Sequence, residues 1–131
     1  MFIDIDADAA REPEIVERGE YEVQVTRVDE EMRTSRNGNE YITMQISIVG
    51  VPYAQEIYHN MFMPSSNLEE RVNNKRLLTW KALFDAFDLE KSGEGYNLQE
   101  LVGRTGRALI GEDTDQNDIP RNRVMRFLPT R

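Results

Sequence analysis

The amino-acid sequence predicts a mainly β domain, a five-stranded OB-fold Greek-key barrel with a helical insertion between strands 3 and 4. Three observations predict this fold class. Short segments of alternating polar and apolar residues recur along the chain and are separated by glycine, proline and asparagine. A longer segment with helical spacing follows the third of them. Two more strand-like segments then complete the chain, which is the element order of that barrel.

Length and composition predict one cytoplasmic domain. The 131 residues are enough to bury a core, and 39% hydrophobic with 31% charged residues is typical of a soluble protein. No window holds the roughly 18 apolar residues of a membrane span, and the N-terminus lacks the pattern of a secretory signal. The absence of cysteine excludes disulfides and fits a reducing compartment.

The first part of the chain is an acidic leader, residues 1–18, and we expect residues 19–131 to form the barrel. Eleven acidic and three basic residues fall within residues 1–31, so the whole net charge of -8 belongs to that segment. The leader is interpreted as either a mobile tail or a short edge strand. Partial order is favoured, because Ile15 and Val16 could pack against the domain.

Period-two alternation predicts the first three strands, at residues 20–30, 40–50 and 54–63. Asn37-Gly38 precedes the second strand and is a strong hairpin signal. The second strand is expected to turn one apolar face inward: Ile42, Met44, Ile46 and Ile48. Its other face is polar apart from one ring, Tyr41.

A helix is predicted after the third strand. Ser66-Asn67-Leu68-Glu69 has the pattern of a capping box, and Asn73-Asn74 is a candidate interruption. Apolar side chains at helical spacing form one stripe, with the tryptophan expected in the core: Leu77, Trp80, Leu83, Phe84 and Phe87. A solvated flank is expected from Lys75, Arg76 and Lys81. A short turn capped by Asn97 and ended by Gly103 follows.

The fourth and fifth strands, residues 104–111 and 119–131, carry all their charge as arginine, and an acidic loop at 112–118 separates them. Guanidinium groups offer forked donors and flat surfaces that suit a phosphate-bearing strand. The two segments therefore indicate nucleic acid as a partner. Their arginines are Arg104, Arg107, Arg121, Arg123, Arg126 and Arg131.

Several short motifs resemble those of small phage-encoded single-stranded DNA-binding proteins. They are the leader FIDIDADA, Gly19-Glu20-Tyr21, Asn37-Gly38, Leu98–Arg104 and Asn122–Pro129. The resemblance covers most of the chain, although its motifs are mostly structural. It implies an OB-fold and a role in phage DNA replication or recombination, inside the host cell cytoplasm.

A protein that binds single strands needs rings for base stacking and cations for the backbone. We expect Tyr41 and Tyr58 to stack on bases, with Phe62 a weaker candidate on the same face as Tyr58. The alternative for each tyrosine is an ordinary exposed or core ring. The expected phosphate contacts are Arg33, Arg36, Arg104, Arg107, Arg121 and Arg123.

The sequence thus predicts a single-stranded DNA-binding protein of low sequence specificity. The alternative is a protein-binding OB adaptor in a phage replication or recombination complex, with no DNA affinity of its own. Phage or host replication and recombination proteins are candidate partners. Self-association stays open. An enzyme is not expected, because His59 is the only histidine and there is no cysteine for a triad or a zinc site. A calcium-loop pattern that starts at Asp113 lacks the required glycine and glutamate, so no metal or cofactor is expected.

Overall fold

The computed structural model describes residues 1–130, in which an antiparallel six-stranded sheet is accompanied by one α-helix. Arg131, which the sequence places in the last arginine-bearing segment, lies outside the described residues. Short 3₁₀ turns occur at Ala7–Ala9 and Leu98–Leu101. The main elements are β1 Gly19–Val28, β2 Arg33–Thr34, β3 Glu40–Ile48, β4 Ile57–Phe62, α1 Glu70–Ala86, β5 Thr105–Thr114 and β6 Pro120–Leu128.

The mainly β class is confirmed, but the predicted count of five strands is wrong because β2 is an additional short strand. The order in the sheet is β2-β3-β1-β5-β6, and β4 also pairs with β3. Met44 of β3 lies opposite both Val28 and His59, and Tyr41 opposite both Arg33 and Phe62. Strand β2 therefore continues the line of β1 along one edge of β3, while β4 occupies the other edge.

The predicted hairpin before β3 is confirmed. Ser35 donates its backbone N–H to Asn39 O at 2.8 Å, and Gly38 adopts φ +81° in the turn between them. Positive φ is readily available to glycine and strained for most other residues. The turn therefore fixes where β3 begins.

The core lies between the inner sheet face and α1. The predicted inward face of β3 is confirmed, because Ile42, Met44, Ile46 and Ile48 are all buried. Burying one such side chain fully contributes about 1.5–3 kcal/mol. The other strands and the helix complete the core through Val23, Val25, Ile57, Met61, Leu83, Phe87, Leu101, Ala108, Ile110, Val124 and Phe127.

The helix begins later than its predicted capping box. Glu69 is the N-cap residue and its side chain makes no capping hydrogen bond, so the capping-box prediction is wrong. The Asn73 side chain instead bonds the chain before the helix. Its Nδ2 donates to Ser65 O at 2.7 Å, and Ser65 N donates to Asn73 Oδ1 at 3.0 Å. This pair of bonds anchors the incoming chain to the first turns, and the helix continues through Asn73 and Asn74 without interruption.

The apolar stripe of α1 packs mainly through its second half. Trp80 is buried as predicted, and its indole Nε1 donates to Phe62 O at 2.9 Å. Leu77 is 54% exposed, so it does not share that core position. The short turn after the helix is capped by Asn97, which accepts from Gln99 N at 3.2 Å, and Gly103 follows with φ +89°.

The end of the leader is bound to the sheet near the space between β4 and β6. Glu14 forms a parallel bridge with Ala54, just before β4. Val16 N donates to Asn122 Oδ1 at 2.8 Å, and Asn122 Nδ2 donates back to Val16 O at 2.9 Å. Val16 packs against the core as expected, whereas Ile15 is 39% exposed. None of the helices within residues 1–130 is both long and apolar enough to cross a membrane.

Replacing Asn122 by alanine is expected to release the leader. Asn122 is buried and its Nδ2 also donates to Gly111 O at 3.2 Å, so the change removes several hydrogen bonds and lowers the free energy of unfolding by about 2 kcal/mol. Urea denaturation measures the stability. The rate of trypsin cleavage after the exposed Arg18 shows whether the leader is released from the sheet. Asn117→Ala, in an exposed turn, is the matched control. Unchanged stability and cleavage in Asn122→Ala would contradict this role.

Candidate nucleic-acid interface

The outer surface of β3 and β4 presents three successive rows of side chains, which together we call the β3–β4 face. Tyr41 lies opposite Phe62, Thr43 opposite Asn60, and Gln45 opposite Tyr58. The intervening residues of both strands point inward, so period-two geometry turns these six outward. Rings therefore stand at both ends of the face, with polar groups between them.

The three rings differ in how much of their surface is free. Tyr58 is 71% exposed, whereas Phe62 is at 36% and Tyr41 is half-buried. The Tyr41 and Phe62 centroids are 5.1 Å apart with the planes tilted by 37°, so these two rings form one packed pair. Tyr58 lies four positions from Phe62 along β4, or roughly 13 Å at about 3.3 Å per residue. The face thus offers two separate stacking positions.

Three guanidinium groups lie beside these rings, one each on β1, on β2 and on the hairpin between β2 and β3. Arg33 is the cross-strand neighbour of Tyr41, and its Nε donates to the Asp29 carboxylate at 2.9 Å. Arg36 is exposed at the hairpin tip. Arg27 lies opposite Gln45 in the register. Within residues 1–130, neither Arg27 nor Arg36 forms an ion pair with an acidic side chain.

Arg27 is a site residue that the sequence did not reveal. Strict alternation through Val23 and Val25 would turn it inward, but the β1–β3 register shifts between Val25 and Arg27. Such a bulge places one extra residue on the strand and re-aims the side chains that follow. Arg27, Arg33 and Tyr58 therefore line one depression of about 200 Å³ on the outer surface.

Arg76 is the second such residue, and the expectation that it lies on a solvated helix flank is wrong. Its NH1 donates to Met63 O at 2.8 Å and to Asn39 Oδ1 at 3.3 Å. Its guanidinium carbon lies 5.4 Å from the centre of the Phe62 ring. Arg76 thus joins α1 to the hairpin and to the end of β4, and places a cation beside the ring pair.

The remaining predicted arginines are not part of this face. Arg104 donates to Asp88 O at 2.6 Å and to Phe87 O at 3.4 Å, so it holds the carbonyl groups at the end of α1. Arg107, on β5, pairs with Glu20 at 3.0 Å. Strand β5 is separated from β3 by β1.

Arg121 and Arg123 share one acidic partner. The Arg121 Nε donates to Asp113 Oδ1 at 2.8 Å, and Arg123 lies 3.8 Å from the other carboxylate oxygen. The hydrogen bond from Arg121 lowers the pKa of Asp113, so this exposed carboxylate stays charged. Exposed ion pairs of this kind are weak and are screened by salt. Both arginines lie on β6, on either side of Asn122. The backbone N–H of Asn122 donates to Gln55 Oε1 at 3.3 Å, which places this part of β6 near the start of β4.

This chain therefore has an antiparallel β-sheet with an outer aromatic face beside arginine side chains. The model of a protein family described as "Protein of unknown function (DUF669)" matches residues 3–116. That range covers most of the chain, including β1 through β5, so the chain belongs to this family. No curated protein matches the chain.

The only histidine of the chain lies directly behind the β3–β4 face. The Nε2 atom of His59 is buried without a hydrogen-bond partner among the described residues, and the imidazole meets Phe127 edge to face with centroids 5.3 Å apart. Burial disfavours the charged imidazolium and lowers the pKa of His59 to about 4. The side chain is therefore neutral in the folded protein at physiological pH.

Mild acid is expected to destabilise the fold through His59. In the unfolded chain the histidine has its ordinary pKa of about 6.5. Below that pH the unfolded chain therefore binds a proton at His59, whereas the folded chain stays unprotonated there until about pH 4. The stability that depends on a neutral His59 is present above pH 6.5. The free energy of unfolding is expected to fall by about 2 kcal/mol between pH 7 and pH 5. Urea denaturation at both pH values measures it. His59→Gln does not titrate, and an equal loss in that variant would contradict the assignment.

Proposed function

We propose that this chain binds single-stranded DNA with low sequence specificity and protects it during phage DNA replication or recombination. One observation carries the proposal: the rings of Tyr41, Tyr58 and Phe62 stand on one exposed sheet face beside Arg27 and Arg33. Rings beside guanidinium groups suit an unpaired strand, because every base has a face that can stack and the guanidinium groups can bind phosphates.

An OB-type barrel is the fold that we propose for this sheet. Since β2 continues β1 along β3, the strand order reduces to β4-β3-β1-β5-β6. The Cα atoms of β4 and β6 approach within 8 Å, although no ladder joins these two strands. In an OB barrel the second and third strands and the first loop bind oligonucleotides. Those elements correspond here to β3, β4 and the segment that carries Arg33 and Arg36.

The charge distribution supports a mode of binding in which stacking contributes more than phosphate contacts. The net charge of -8 belongs to residues 1–31, and the rest of the chain is neutral in sum. If Arg27, Arg33 and Arg36 each meet a phosphate, log K should fall with log salt with a slope of roughly -2. Stacking contributes about 1–3 kcal/mol per base and does not depend on counterion release.

The second candidate function is a protein-binding adaptor without DNA affinity. Two observations favour it: Arg107, Arg121 and Arg123 are engaged by acidic side chains, and an apolar groove runs beside α1. The groove is lined by Leu77, Trp80, Phe84 and Tyr96 among others. The setting in phage or host replication complexes, in the host cytoplasm, comes from the motif resemblance. It applies to both candidates.

Tyr58→Ala is expected to weaken binding of labelled oligo-dT about tenfold, because one stacked base is lost. Fluorescence anisotropy at two salt concentrations measures the affinity, and duplex DNA of the same length serves as the competitor control. Tyr96→Ala is the matched variant, since Tyr96 is 40% exposed and stacks on Phe84 away from the β3–β4 face. Its affinity should stay within twofold of the unmodified protein.

Absence of any oligo-dT signal at micromolar protein would refute DNA binding and leave the adaptor. An equal loss of affinity in Tyr96→Ala and Tyr58→Ala would show that the β3–β4 face is not where the strand binds.

A further inference from the structure

A polar depression of about 450 Å³ lies next to Phe62, where the β2–β3 hairpin, the end of β4 and α1 meet. The hairpin contributes Ser35, Asn37 and Asn39, β4 contributes His59, Asn60 and Phe62, and α1 contributes Arg76 and Thr79. Its volume is within the range of about 300–1,000 Å³ that is typical of small-molecule sites. We call this depression the amide pocket, because it combines one aromatic wall with several neutral amides and a single cation.

Hydrogen bonds already made inside the protein determine what the amides can offer. A guanidinium only donates, so the contact from Arg76 NH1 turns the oxygen of Asn39 toward the arginine and leaves the Asn39 NH₂ group free. Thr43 Oγ1 donates to Asn60 Oδ1 at 2.7 Å, which leaves the Asn60 NH₂ group free in the same way. Asn39 and Asn60 therefore each present free N–H donors to the amide pocket.

We propose that the amide pocket binds one unpaired thymine base through its O4 oxygen. This inference rests on the proposed function, because the base would be part of a strand held on the β3–β4 face. Proteins that read single strands place splayed bases against aromatic rings or guanidinium planes and bond their edges. Phe62 and Arg76 supply such surfaces, and the free NH₂ groups of Asn39 and Asn60 suit a carbonyl oxygen.

The group at position 4 of the ring distinguishes the two pyrimidines, because both present the O2 oxygen. Thymine has an oxygen at position 4 and cytosine has an amino group, so an amide NH₂ group that meets position 4 would bond thymine and would face cytosine with N–H against N–H. A phosphate would also accept these bonds, but the pocket has an aromatic wall, and Arg76 is the one arginine or lysine among its eight lining residues. The pocket therefore adds a modest keto preference to otherwise sequence-tolerant binding.

The test compares oligo-dT with oligo-dC of equal length by fluorescence anisotropy. Both strands are pyrimidines that stack weakly on themselves, and they differ at the group that the amide pocket would read. We expect the full chain to bind oligo-dT about fivefold more tightly, the effect of one neutral hydrogen bond. Asn60→Ala should weaken oligo-dT binding more than oligo-dC binding, and so bring the two affinities within twofold of each other. Asn74→Ala, on the exposed surface of α1 and outside the pocket, should keep the fivefold ratio.

The possible results test single-strand binding and base recognition by the amide pocket separately. Equal oligo-dT and oligo-dC affinities in the unmodified chain would overturn the pocket and leave single-strand binding intact. A preference that persists in Asn60→Ala, with its melting temperature unchanged, would also overturn the pocket. Failure to bind either strand would overturn the proposed function itself.

Discussion

The register between β3 and β4 is the constraint on which the outer face depends. Ile42, Met44 and Ile46 are buried, and Ile57 and Met61 face them from the neighbouring strand. A slip of one residue in either strand would turn this set into solvent, so burial of the apolar side chains holds the register. The same alternation forces rings outward at both ends of the face. Core packing and the candidate binding surface are therefore two consequences of one pairing.

The electrostatics of the chain follow from how its arginines are used. Arg107 on β5 is engaged by Glu20, and Arg121 and Arg123 on β6 are engaged by Asp113. Arg104, just before β5, is engaged by the carbonyl groups at the end of α1. Those beside the rings are freer, since Arg27 and Arg36 have no acidic partner within residues 1–130. An acidic protein can thus keep unpaired guanidinium groups beside the rings, where Arg33 is paired with Asp29 but Arg27 and Arg36 are not paired within residues 1–130.

Short-range signals predicted much of this structure. Alternation in β3, the Asn37-Gly38 turn and the core position of Trp80 each depend on neighbours in sequence, and each is confirmed. The bulge that exposes Arg27 has no such signal, because it arises from pairing with β3.

Long-range partners explain why other features of the site were missed. The pairing of Arg107 with Glu20 spans 87 positions, so no local pattern could indicate it. Arg76 resembles the other basic residues of α1, and only the packing of the helix against the end of β4 brings it to Phe62. The capping-box prediction failed because the helix begins after Glu69, and the chain before it is held by hydrogen bonds between Ser65 and Asn73, eight positions apart.

Photocrosslinking to oligo-dT tests the central claim most directly. Trypsin leaves residues 37–71 as one peptide, which contains all of β3 and β4. If the β3–β4 face holds the strand, mass spectrometry should find the crosslinked nucleotide on that peptide, at Tyr58 or Phe62. Adducts confined to the β5–β6 segment would contradict the account.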